Sequence, residues 1–140
     1  MPLRSGLPTP FRGDMKMCAK CGETKPLDEF NVRKRSADGR QSYCRACSGA
    51  NLRHMRYGVT ADAYSERLAA QGGGCAICGG SNPDGRALFV DHDHACCPGE
   101  RTCGKCVRGL LCNSCNHGIG LFADSADRLM SAAKYLEAHA

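Results

Sequence analysis

The chain of 140 residues has no tryptophan and only four phenylalanines and four tyrosines. So few large aromatics exclude a broad aromatic core, and a chain of this length fits one domain or two small modules whose cores need additional staples. No apolar run is long enough to span a bilayer, and the opening MetProLeuArgSerGlyLeuProThrPro lacks the apolar centre of a signal peptide. Membrane-spanning and secreted classes are therefore disfavoured, and a cytoplasmic setting is expected.

What the chain does contain is cysteine, twelve in all. Ten fall in CysxxCys pairs: Cys18/Cys21, Cys44/Cys47, Cys75/Cys78, Cys103/Cys106 and Cys112/Cys115; the other two are the adjacent Cys96 and Cys97. Two intervening residues let both sulfurs of a pair face one tetrahedral ion, so the cysteines are read as zinc ligands in a reducing compartment rather than as disulfides. The formal net charge of +5 is then misleading. Each four-thiolate zinc site contributes about −2, and three would bring the total near −1. Distribution says more: residues 1–60 carry 12 Lys/Arg against 5 Asp/Glu, and residues 61–140 carry 7 against 9. The first half is suited to hold phosphates while the second does something else.

Residues 1–15, rich in Pro, Gly and Arg without periodicity, read as a disordered lead. Residues 16–58 form a first module. Cys18, Cys21, Cys44 and Cys47, with 22 residues between the pairs, match a four-cysteine zinc site of zinc-ribbon type, and Asp38-Gly39 marks a hairpin turn. Arg33, Lys34, Arg35 and Arg40 then form a basic patch suited to DNA phosphates or, equally, a solvated face. A short helix ends at Gly58, and its His54 reads as a surface residue because the flanking cysteines already complete a tetrahedron. Residues 59–140 form the second module. Thr60 caps a helix over about 61–71 with Ala61, Tyr64 and Leu68 on one face, stopped by Gly72. Cys75, Cys78, Cys112 and Cys115 bracket two short apolar strands and a helix from about Asn113, a ββα unit tied by a structural zinc. Ser125 caps a last helix whose Leu129, Ala133 and Leu136 are expected to pack back onto the module.

Between the cysteine pairs lies Asp91-His92-Asp93-His94, with Asn116 one residue past the last ligand. Phosphodiester hydrolysis needs a base to deprotonate water and a Lewis acid to stabilise developing charge. A neutral imidazole suits the first task. For the second, a carboxylate from Asp91 and an amide oxygen from Asn116 suit the sparse shell of Mg²⁺. Strict strand alternation sends the two aspartates to one side and the two histidines to the other, unless the strand bulges. Asp93 can serve to orient a histidine, and His94 can act as a phosphate donor or support from outside the metal shell.

CysAlaIleCysGly, LeuPheValAspHisAspHis, ValArgGlyLeuLeuCysAsnSerCysAsn and GlyIleGlyLeuPheAlaAsp together resemble the phage recombination endonuclease VII family, a branch of the HNH (His-Me finger, ββα-metal) nucleases. The resemblance covers roughly residues 60–138. It implies a small α+β zinc-stabilised protein in which Cys75, Cys78, Cys112 and Cys115 hold zinc and Asp91 and Asn116 bind Mg²⁺ or Mn²⁺. His92 is then the general base, and His94 assists at the phosphate or metal. The chain departs from the family where a short turn is usual between the two strands. Cys96, Cys97, Cys103 and Cys106 fall there within eleven residues, which suggests a third zinc knuckle, a site using one of the adjacent pair, or a disulfide. Ile119 stands where some relatives carry an acidic residue.

The leading expectation is a metal-dependent DNA endonuclease of phage type, acting in recombination, branched-DNA processing or packaging. DNA and phage packaging proteins are its candidate partners, the host cytoplasm is its setting, and the oligomeric state is left open. The alternative is a non-catalytic zinc-ribbon DNA-binding or regulatory protein. A RING-like adapter fits the cysteines and leaves AspHisAspHis unexplained.

Overall fold

The computed structural model describes residues 14–140; of the lead expected over 1–15, only the last two residues fall within it. The described residues fall into two compact units divided between Asn51 and Leu52, inside a helix. In the first unit β1 (Met15–Met17) and β2 (Thr24–Pro26) form an antiparallel pair around the Cys18/Cys21 knuckle. A second antiparallel pair, β3 (Phe30–Val32) and β4 (Arg40–Cys44), follows and leads into α1 (Arg45–Tyr57). The second cysteine pair therefore does not sit on another knuckle. Cys44 ends β4 and Cys47 lies in the first turn of α1. The sulfurs are gathered around a core of Cys18, Phe30 and Cys44, all essentially inaccessible.

Among the described residues Phe30 is the one large apolar side chain in that cluster, so their packing depends on it and on the thiol tetrad. Phe30→Ala is expected to destabilise the unit by about 3–5 kcal/mol. Denaturant unfolding of the zinc-loaded protein measures it, and a change below about 1 kcal/mol would show that the tetrad holds the unit without an apolar core.

The second unit takes in the last two turns of α1 and then α2 (Ala61–Ala70), β5 (Phe89–His92), β6 (Val107–Leu111), α3 (Asn113–Leu121) and α4 (Ala126–Ala138). Thr60 accepts a hydrogen bond from the Ala63 N–H and starts α2, and Gly72, in the left-handed region, ends it. From α2, Tyr64 and Leu68 pack on a core that includes Val59, Leu88, Val90, Leu110 and Leu111. The Tyr64 hydroxyl donates to the Leu88 carbonyl. Gln71 acts as a one-residue extension of the sheet. Its amide oxygen accepts from Leu110 N–H at 2.9 Å and its amide nitrogen donates to Leu110 C=O at 2.9 Å.

The Cys75/Cys78 knuckle is closed by Cys75 N–H to Gly80 C=O and Gly79 N–H to Cys75 C=O, both 2.8 Å. A Cβ at Gly74 would lie 2.0 Å from the Gly79 carbonyl oxygen. Gly74→Ala is expected to cost about 1–3 kcal/mol through this backbone clash, read as a lowered Tm of the zinc-loaded protein; an unchanged Tm would show that the knuckle has slack.

One expectation about packing fails. Ser125 does cap α4, accepting from Arg128 N–H, but Leu136, Tyr135 and Met130 are each more than half exposed. Ala123 and Asp124 both take φ of 55° in the turn before α4, and on α4 Leu129 is half-buried while Ala133 and Leu136 are exposed. No helix among the described residues is long and apolar enough to cross a membrane.

Candidate active site

The three thiol tetrads come together as the spacing suggested. Cys18/Cys21/Cys44/Cys47, Cys75/Cys78/Cys112/Cys115 and Cys96/Cys97/Cys103/Cys106 each bring their four sulfurs within 4.8 Å of one another, and none of the twelve cysteines is in a disulfide. Zn–S bonds of about 2.3 Å at tetrahedral angles set sulfurs about 3.8 Å apart. Cys78 and Cys112 sulfurs are 3.7 Å apart, and Cys96 Sγ lies 3.9 Å from the sulfurs of both Cys97 and Cys103. Electrostatics agree. Burial raises the Cys75 thiol, but backbone N–H donors outweigh it and bring its pKa to about 6. In the same tetrad burial and neighbouring thiols push Cys115 up to about 12. The third tetrad repeats the split: the Lys105 backbone leads in lowering Cys103 to about 7, and Cys103 and Cys97 push Cys96 up to about 12. Four thiolates at one point need a cation, and a soft tetrahedral divalent ion meets that need in all three places.

The β5–β6 register places the other candidates. Asp91 pairs with Gly109, but the next step on β5, His92, pairs with Val107. One residue on β5 thus opposes two on β6, and Arg108 is the extra one. The bulge therefore lies on β6, opposite the Asp91–His92 step, where it increases the local twist. Asp91, His92 and His94 line one cavity of about 310 Å³ with Asn116 and His117 from α3 and with Tyr57 from α1. Asp93 does not line it. Its side chain accepts from Ala95 N–H and its carbonyl from the Cys96 and Cys97 N–H groups, so it starts the turn into the cysteine loop.

Asp91 and His92 are buried, at 6% and 7% exposure, whereas His94 is exposed. His92 Nε2 lies 3.2 Å from the Cys97 carbonyl oxygen. A carbonyl only accepts, so Nε2 carries the proton and Nδ1 is the nitrogen left as a base. His94 Nδ1 lies 2.7 Å from Asp124 Oδ2, and its ring is tilted against that of His92 with centroids 4.5 Å apart. Arg108 forks onto Asp91, Nε to Oδ2 at 2.7 Å and Nη2 to Oδ1 at 2.9 Å, and Nη2 is also 3.4 Å from Asp124 Oδ2. The fork to Asp91 is the main reason the Arg108 pKa rises. The His94 hydrogen bond, opposed by burial and helped by the Arg108 charge, holds Asp124 below the usual carboxylate range.

Sequence reasoning missed Arg108, Asp124, Tyr57 and the Cys97 carbonyl. A charge inside the otherwise apolar run ValArgGlyLeuLeu was the available signal for Arg108; nothing local marks a main-chain carbonyl. In the first unit, Arg33, Lys34 and Arg35 are exposed at the β3–β4 turn. Arg40 is half-buried, its guanidinium donating to the Phe30 carbonyl at 3.0 Å, so it is held as part of the sheet.

A two-stranded sheet and a helix, joined by a thiol tetrad and carrying Asp91, His92 and Asn116 into one cavity, define a zinc-stapled ββα-metal finger. Residues 50–138 match the recombination endonuclease VII family, and the chain belongs to that family. Among similar proteins, the Gene 59 proteins of Mycobacterium phages L5 and D29 are 38% and 41% identical over 81 residues. That segment is 57% of this chain and 44% of each relative, so the chain spans less than half of their length. A crystal structure of the beta-beta-alpha-Me type II restriction endonuclease Hpy99I aligns with 91% of this chain and 67% of its own, at 27% identity and a TM-score of 0.37.

Proposed function

We propose that the protein is a metal-dependent endonuclease of HNH type that hydrolyses phosphodiester bonds in DNA. The observation that carries this reading is the convergence of Asp91, His92, His94 and Asn116 on one cavity, with His92 held through Nε2 so that Nδ1 is the base. Asp91 and Asn116 offer hard oxygens of the kind Mg²⁺ or Mn²⁺ takes, few enough to leave positions for water and phosphate. They are the residues that would hold the ion, which supplies Lewis-acid stabilisation of the departing oxygen. His92 takes the proton of the attacking water at Nδ1 and passes the resulting positive charge into its Nε2–H bond to Cys97. His94 and the exposed His117 border the same opening and serve as phosphate donors, while Arg33, Lys34 and Arg35 contact DNA phosphates from the first unit. All three tetrads carry zinc. Recombination, branched-DNA processing and packaging, in the host cytoplasm, are the settings that suit this activity, with packaging proteins as partners in the last.

The test is incubation of the zinc-loaded protein with supercoiled, linear, nicked and four-way-branched DNA, with Mg²⁺ or EDTA. Cleavage of at least one substrate that EDTA abolishes is the expected result. The Arg108 fork on Asp91 favours a second reading, a non-catalytic DNA-binding protein in which the pair is structural; binding to every substrate with cleavage of none would establish that one.

A further inference from the structure

The Asp124 carboxylate lies where the cavity residues meet the turn between α3 and α4, and the candidate mechanism gives it no task. It and Ala123 are the non-glycine residues with positive φ among the described residues. That backbone region is disfavoured for most L-residues and tolerated best by Asn and Asp. Its Oδ2 accepts from His94 and lies beside Arg108. Its Oδ1 is buried and has no hydrogen-bond partner among the described residues. A buried carboxylate oxygen left unpaired is costly, so a spare acceptor beside an arginine fork calls for an occupant.

Arg108 is the available occupant. Its fork uses both oxygens of Asp91, the carboxylate that the proposed function assigns to a divalent cation. A guanidinium and a divalent cation on one carboxylate repel each other, so cation binding favours a move of Arg108 away from Asp91. Nη2 already touches Asp124 Oδ2 at 3.4 Å, and Oδ1 offers the second prong of a fork. We propose that Asp124 is a positioning residue for the metal site: it orients His94 through Nδ1 and receives Arg108 when Asp91 takes the cation. Arg108 then acts as a counter-ion shared between two carboxylates, keeping Asp91 neutralised until the metal arrives. The inference rests on Asp91 being a cation ligand.

The experiment measures Mn²⁺ binding to the zinc-loaded, DNA-free full chain by electron paramagnetic resonance and calorimetry. The variants are Asp124→Asn, Arg108→Met, the double variant and Asp91→Ala. Asparagine keeps the shape and tolerates the left-handed backbone, so the fold is retained, and the melting temperature checks this. Asp124→Asn is expected to weaken Mn²⁺ by tenfold or more in the presence of Arg108 and by less than twofold in the Arg108→Met background. An effect of equal size in both backgrounds, or none in either, overturns the proposal while Asp91 remains a ligand. Mn²⁺ binding that survives Asp91→Ala unchanged overturns the reading of Asp91, and the role of Asp124 with it.

Discussion

His92→Ala is expected to lower Mg²⁺-dependent DNA cleavage by roughly 10²–10⁴-fold, the usual contribution of a positioned general base. That corresponds to about 3–5 kcal/mol of transition-state stabilisation. The effect should reside in the chemical step. His92 is buried and its Nε2 is taken by the Cys97 carbonyl, so Nδ1 is the ring nitrogen left to receive a proton, and among the described residues no other side chain lining the cavity has that arrangement. His94, the nearest imidazole, has its Nδ1 engaged by Asp124 and is exposed, so it does not substitute. Single-turnover cleavage under saturating protein separates this loss from weaker DNA binding. Because the ring also supports the cysteine loop, zinc content is measured alongside. Equal cleavage by wild type and variant, with zinc unchanged, removes His92 from the mechanism.

Loss of the third thiol tetrad should be the next largest effect. Cys103→Ser is expected to reduce bound zinc from three ions per chain to two and cleavage by about 10–100-fold, the range for residues that orient a site through a partner. The reason is the route from metal to base. The tetrad holds Cys97, whose carbonyl accepts from His92 Nε2. Asp93 ties the near end of the loop, and Thr102 ties the far end through its N–H to the Arg56 carbonyl at 2.8 Å. Without the ion, Cys97 is fixed only by these flanking bonds, and the proton position on His92 is no longer dictated. Elemental analysis gives the zinc count and cleavage assays give the rate. Two zinc ions in the wild type would dismiss the third site. A variant that loses one ion and cleaves normally would show that the loop orients His92 without it.

Much of the second unit was legible because its signals are local. Thr60 and Ser125 announce their helices through cap hydrogen bonds made within three residues, and Gly58 and Gly72 end α1 and α2 through backbone angles that favour glycine. The first two thiol tetrads were legible from their paired CysxxCys spacing, whereas the third, with Cys96 and Cys97 adjacent, was left open until the fold brought its four sulfurs together. The α4 expectation failed because Leu129, Ala133 and Leu136 specify an apolar stripe but not what lies opposite it. A bulge was considered only for the strand that carries Asp91 to His94; the one at Arg108 lies on the opposite strand and depends on how β5 and β6 pair across a loop of fourteen residues.

Read alone, the order of residues points to the candidate ligand groups, the ββα sequence of elements and Asp91, His92 and Asn116 as the proposed chemistry-bearing set, because these follow from spacing and side-chain type. Which nitrogen of His92 is engaged by the protein, and which partner Asp91 has, follow from folding. Both answers come from atoms distant along the chain or from the main chain itself: the Cys97 carbonyl, the Arg108 guanidinium and the Asp124 carboxylate. A carbonyl is the same in every residue, so its role has no sequence signature, and a charge becomes a partner only when register brings it within hydrogen-bonding distance.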